Sequence, residues 1–193
     1  MFPLWLKIAV TIFVSVLAFV YVRKYGPSNF LWFSDIALLA TVPALWLESS
    51  LLASMMAVSI TVLEIAWIID YFGRLATGHG LFGLSSYMFD RKIALPIRAL
   101  SLFHIWLPPL LLWMLYRLEY DENALIAQTV LAWIVLPISF LLAPQSENVN
   151  WVRGLKNAPQ TKVPAPLYLI LLMLALPLVI YLPTHLALKE LFS

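Results

Sequence analysis

The sequence predicts an all-α, polytopic integral membrane protein: one domain of six transmembrane helices in a single bundle. Three observations carry that reading. Hydrophobic residues make up 63% of the 193 residues and charged residues only 11%, about half the charged share of a soluble domain. The apolar residues gather into six runs close to the ~20 residues that a helix needs to cross a bilayer core. All six glycines (Gly26, Gly73, Gly78, Gly80, Gly83 and Gly154) fall outside the interiors of those runs. This composition excludes a cytosolic globular protein, a disordered tail and a nucleic-acid-binding module. The net charge of +2 is too small to act as an overall sign. Cysteine is absent, which excludes disulfides, thiolate metal sites and cysteine nucleophiles.

The first run, 4–22, is followed by Arg23 and Lys24 rather than preceded by charge, and it has no small-x-small cleavage site. It therefore reads as a retained span and not as a signal peptide. The second run is 29–47 and the third 50–72. In the third, Ser50, Ser54, Ala57, Thr61, Glu64, Ile68 and Tyr71 recur at steps of three and four. Small and polar residues on one stripe let helices approach closely and hydrogen-bond. The fourth run, 94–117, places Ser101, His104 and Pro108 on one face, and Pro108 cannot donate to the carbonyl of His104. The fifth and sixth runs are 123–143 and 166–186. Pro43, Pro96, Pro108, Pro109, Pro137, Pro177 and Pro183 lie inside spans, and each should kink its helix or loosen a turn. Of the longer loops, 73–93 has an apolar middle, LFGLSSYMF, expected to lie on the membrane surface. The loop 144–165 is polar and expected to sit in water.

Orientation follows from the lysines and arginines in the loops. The odd-numbered loops carry Arg23, Lys24, Arg74, Arg91, Lys92, Arg153, Lys156 and Lys162. The opposite side has Lys7, Arg117 and Lys189 beside the acidic group Glu119, Asp121 and Glu122. Eight against three places the basic loops in the cytoplasm and both termini outside.

Ionisable groups within spans are costly and face a bundle interior or a cavity. At about 1.5 Å of rise per residue, Asp35 lies about 10 Å deep, Glu64 about 12 Å and His104 about 15 Å, all measured from the basic end. Arg98 and Asp70 are shallower on the same side, where Asp70 has Arg74 at i+4. All five occupy one leaflet. His185 stands apart near the opposite end, with Lys189 at i+4. It reads as a solvated end residue and cannot share an ion with His104. No HExxH, GxSxG, P-loop or dinucleotide fingerprint occurs, so no cofactor is expected. A metal would need His104 completed by Asp35 and Glu64, and none is expected either.

Several segments resemble one uncharacterised family of bacterial multi-pass inner-membrane proteins. They are YGPSNFLWFSDIALL at 25–39, DYFGRL at 70–75, YMFD at 87–90, LSLFHIWLPPLLLW at 100–113, NVNWVRGL at 148–155 and YLPTHL at 181–186. The resemblance implies a bacterial inner membrane and brings no mechanism. The chain is also similar to the androgen-induced family of six-span fatty-acid-ester hydrolases. That family pairs a hydroxyl nucleophile early in the second span with a histidine before a proline-rich run. NFLWFSD supplies Ser34 and HIWLPPLLLW supplies His104, although the family's nucleophile is threonine and Ser34 is followed by Asp35.

Three readings follow. In an intramembrane lipid hydrolase or acyl-transfer enzyme, Ser34 attacks, His104 acts as base and Asp35 or Glu64 orients the imidazole. Arg98 then meets the headgroup of a membrane lipid. In a proton-coupled transporter or small-ligand-binding protein, Glu64, Asp35 and His104 carry protons or hold the ligand. In an accessory subunit the polar stripe only packs helices. An enzyme needs Ser34 within hydrogen-bond reach of His104.

Overall fold

A computed structural model describes residues 1–155 and 159–192. Lys156, one of the basic-loop residues, lies outside them. Helix α1 (Leu4–Tyr25) buries Val10, Val14, Leu17 and Tyr21 along one narrow stripe and leaves the rest of its apolar surface for lipid. It stops at Gly26, whose φ of 81° suits glycine.

Helix α2 (Phe33–Leu47) is four residues shorter at its start than the expected second span. Pro27–Leu31 form a 3₁₀ turn and Trp32 is extended instead. A side chain from far along the chain fixes this boundary. Asn150 accepts from the Phe33 N–H at 3.1 Å and donates to the Leu31 carbonyl at 2.7 Å, so it satisfies backbone groups that a continuous helix would have paired internally.

Helix α3 (Ser50–Thr77) is the longest α-helix described. Ser49 caps it by accepting from the Leu52 N–H. Gly78, at φ 77°, ends it. It is the central element and packs against α2, α5, α6 and α8. The predicted stripe is at the packed face: Ser54, Ala57, Thr61 and Glu64 are all buried.

The expected fourth span is broken in two, α4 (Leu95–Leu100) and α5 (Phe103–Leu118). At the junction the bonds tighten to i→i+3, with Ser101 and Leu102 N–H reaching Arg98 and Ala99 carbonyls. The break falls nearly two turns before Pro108 and Pro109, which supply no N–H to the carbonyls of His104 and Ile105. Helix α6 spans Ala124–Leu142. The sixth span runs as α7 (Ala165–Ala175), a π turn (Leu176–Tyr181) and α8 (Leu182–Phe192). Pro177 therefore widens a turn, and the helix continues six residues past its expected end.

Among the described residues, five helices are long and apolar enough to cross a membrane, counting α4 with α5 and α7 with α8, and α2 is a shorter apolar helix. The chain is an integral, multi-pass membrane protein built as an all-helical bundle.

Both long loops pack against the helices. The 144–165 loop does not simply sit in water: Val149, Asn150 and Val152 are buried, and Trp151 meets Trp32 edge to face. The 73–93 loop folds back onto α3, with Phe89 against Tyr71 and Tyr87 near Trp67. Asp70 organises it. Its carboxylate accepts from the Phe82, Gly83 and Ser85 N–H groups at 2.6, 3.0 and 2.8 Å and from the Ser85 hydroxyl at 2.7 Å. The expected Asp70–Arg74 pair does not form; the Arg74 guanidinium lies over the Phe89 ring.

Candidate functional site

The α4–α5 break sets His104 in the first turn of α5, facing α3. There both carboxylate oxygens of Glu64 lie within hydrogen-bond distance of Nδ1, at 2.9 and 2.7 Å. Nδ1 is therefore the ring nitrogen engaged by Glu64. The imidazole is held on its faces as well, stacked on Trp67 at 4.7 Å and on Phe103 at 4.1 Å between centroids. Glu64 is almost fully buried, while the His104 side chain keeps 12% exposure. No hydrogen bond to its Nε2 is present among the described residues. The imidazole is thus fixed in orientation, with one nitrogen committed and the other available.

Asp35 is also buried and lies close enough to His104 and Glu64 to interact with both electrostatically. Asn29 donates to its Oδ2 at 3.2 Å. Its Oδ1 is buried and has no partner among the described residues, as is true of Thr61 Oγ1, one turn from Glu64 on the same face. Buried polar atoms without a partner are rare in folded proteins.

Of the residues singled out from the sequence, Glu64 and His104 are therefore brought into contact, and Asp35 stands nearby. Ser34 is half-buried in the first turn of α2. No hydrogen bond joins it to His104, so the hydroxyl-to-imidazole contact of the hydrolase reading is not formed. Arg98 pairs with neither Asp35 nor Glu64; its Nη1 donates to the Met88 carbonyl at 2.8 Å, which ties α4 to the returning loop. His185 is not simply solvated, because the Tyr120 hydroxyl lies 2.7 Å from its Nδ1. Among the described residues no three His, Cys, Asp or Glu side chains are placed to hold a metal ion.

Sequence reading placed Ser101 on the His104 face but not its tyrosine partners, Tyr21 and Tyr87. Tyr21 and Ser101 share a 2.7 Å hydrogen bond, and Tyr87 from the returning loop comes up to Ser101, its phenol pushed upward from the ordinary value chiefly by burial. Tyr21 lies within electrostatic range of Asp35, and Tyr87 within that of Glu64. A second polar contact lies at Gln128, which donates to Ser59 at 2.9 Å. A lone glutamine inside the fifth span was the available signal.

No family model matches the chain, nor does any curated protein or solved structure.

Proposed function

We propose that this membrane protein binds and passes protons at the Glu64–His104 pair, coupling them to the binding or movement of a small polar solute. The observation that carries the reading is the anchored imidazole. Glu64 occupies Nδ1, Nε2 is free to take or give a proton, and Asp35 offers a second acceptor in the same leaflet. Reconstitution into liposomes containing a pH-sensitive dye tests it. The protein should dissipate an imposed pH gradient faster than empty liposomes, and His104→Gln should abolish the excess. No flux from the unaltered protein, or full flux from the variant, overturns the reading.

A second reading, lipid-ester hydrolysis, draws support from the same pair. A carboxylate-oriented imidazole is two members of a hydroxyl–imidazole–carboxylate relay, and α2, which carries Ser34, packs against α5. Once its hydroxyl came within reach of His104, a contact not formed here, Ser34 Oγ would add to the ester carbonyl, its proton passing to His104 Nε2 and then to the departing alcohol. Water would release the acid, and Arg98 would meet the headgroup. Turnover of a fluorogenic long-chain ester that disappears in both Ser34→Ala and His104→Gln would establish it. Turnover unchanged in Ser34→Ala would eliminate it.

A further inference from the structure

The two ends of the bundle treat their positive charges differently. At the end holding both termini two of the three cations are paired, the Lys7 ammonium 2.8 Å from Glu48 and that of Lys189 2.9 Å from Glu122, while Arg117 is exposed and without an ion pair among the described residues. At the basic end no lysine or arginine forms an ion pair among the described residues. The carboxylates there are engaged elsewhere. Glu64 holds His104, Asp70 holds the returning loop, Asp90 accepts from the Lys92 backbone N–H at 2.8 Å and Glu147 accepts from Ser28 at 3.0 Å. Arg23, Lys24, Arg91, Lys92 and Lys162 are all exposed.

These charges sit against apolar surface. The Arg23 guanidinium lies 3.9 Å from the centroid of the Phe19 ring, and Phe19 is itself exposed on the outer face of α1. The loop that carries Arg91 and Lys92 also exposes Leu81 and Phe82. Cations interleaved with exposed apolar side chains match a boundary between headgroups and acyl chains. A nucleic acid or an acidic soluble protein would leave the apolar groups uncovered.

We infer that the basic end is a binding surface for anionic phospholipid headgroups, with Arg23, Lys24, Arg91, Lys92 and Lys162 as its cations. This rests on charge and exposure alone and is independent of any proton or ester chemistry at His104. The test is native mass spectrometry of the detergent-solubilised chain with added phosphatidylglycerol or phosphatidylcholine. Phosphatidylglycerol adducts should predominate, and the triple variant Arg91→Gln, Lys92→Gln, Lys162→Gln should lose them by about tenfold or more. The opposite-end variant Arg117→Gln should keep them. Circular dichroism of the triple variant checks that its helices are intact, and among the described residues these three side chains make no hydrogen bond that the changes would remove. Equal retention of both lipids, or a folded triple variant that keeps its phosphatidylglycerol, overturns the inference. So does preferential capture of a polyglutamate peptide over the lipid.

Discussion

Replacing His104 with alanine removes the only hydrogen-bond partner, among the described residues, of a carboxylate that is almost wholly buried, and breaking a buried pair from one side typically costs about 3–5 kcal/mol. His104→Ala and Glu64→Gln should each lower the thermal unfolding midpoint in detergent. The combined variant should lose less than the sum of the two, the sign of a direct coupling; strict additivity would mean that the contact contributes nothing. Glu48 gives a milder, pH-dependent case. It lies in the turn after α2, where the Lys7 ammonium and the Phe2 N–H hold its carboxyl below the ordinary value of 4.5. The folded value is lower than the unfolded one, so the contribution is complete above 4.5 and is lost as pH falls through the folded value. Unfolding midpoints measured down that range should fall less steeply in Glu48→Gln. That Glu64 and His104 stand at similar heights on neighbouring helices was legible in the sequence because helical rise is regular, and the two side chains do meet. The partnerships were not. Asp70 and Arg74 are spaced for an ion pair, yet three backbone N–H groups and a hydroxyl satisfy the carboxylate better. Nothing in the spacing of residues 70–85 announces that.

Helices and loops divide along a similar line. Five long spans are readable because a continuous apolar run leaves the backbone no partner but itself. The breaks within runs were anticipated only as kinks. Pro108 and Pro109 displace the discontinuity to Ser101, and Pro177 produces a π turn. The short start of α2 depends on Asn150, which no local pattern around 29–33 reveals. The returning loop supplies the prediction at this scale. A Cβ at Gly80 would lie 3.1 Å from Asp70 Oδ1, so Gly80→Ala should crowd the anchor and Asp70→Ala should remove it. Both variants should speed proteolytic cleavage between residues 78 and 94, with Asp70→Ala the faster, while cleavage elsewhere keeps its rate. Uniform acceleration along the chain would mean that Asp70 supports the whole bundle and not this loop.

Charge asymmetry belongs to the molecule as a whole. With eight basic residues in one set of loops against three at the other end, the basic end should face the cytoplasm. The chain has no cysteine of its own, so single cysteines report cleanly. Lys162→Cys should resist a membrane-impermeant thiol reagent in intact cells, and Glu190→Cys should react; the reverse pattern would invert the topology. The length of α2 has a consequence of another kind. Fifteen residues make a cylinder of about 22 Å, well short of the roughly 30 Å of hydrocarbon in an average bilayer. Its long neighbours suit that thickness better, so any lipid face that α2 presents would match a thinner layer. Lipid beside α2 must thin locally, or the chain must seek out thinner regions. Reconstituted in bilayers of stepwise acyl length, the protein should be most heat-resistant in chains shorter than those that best suit the other five spans.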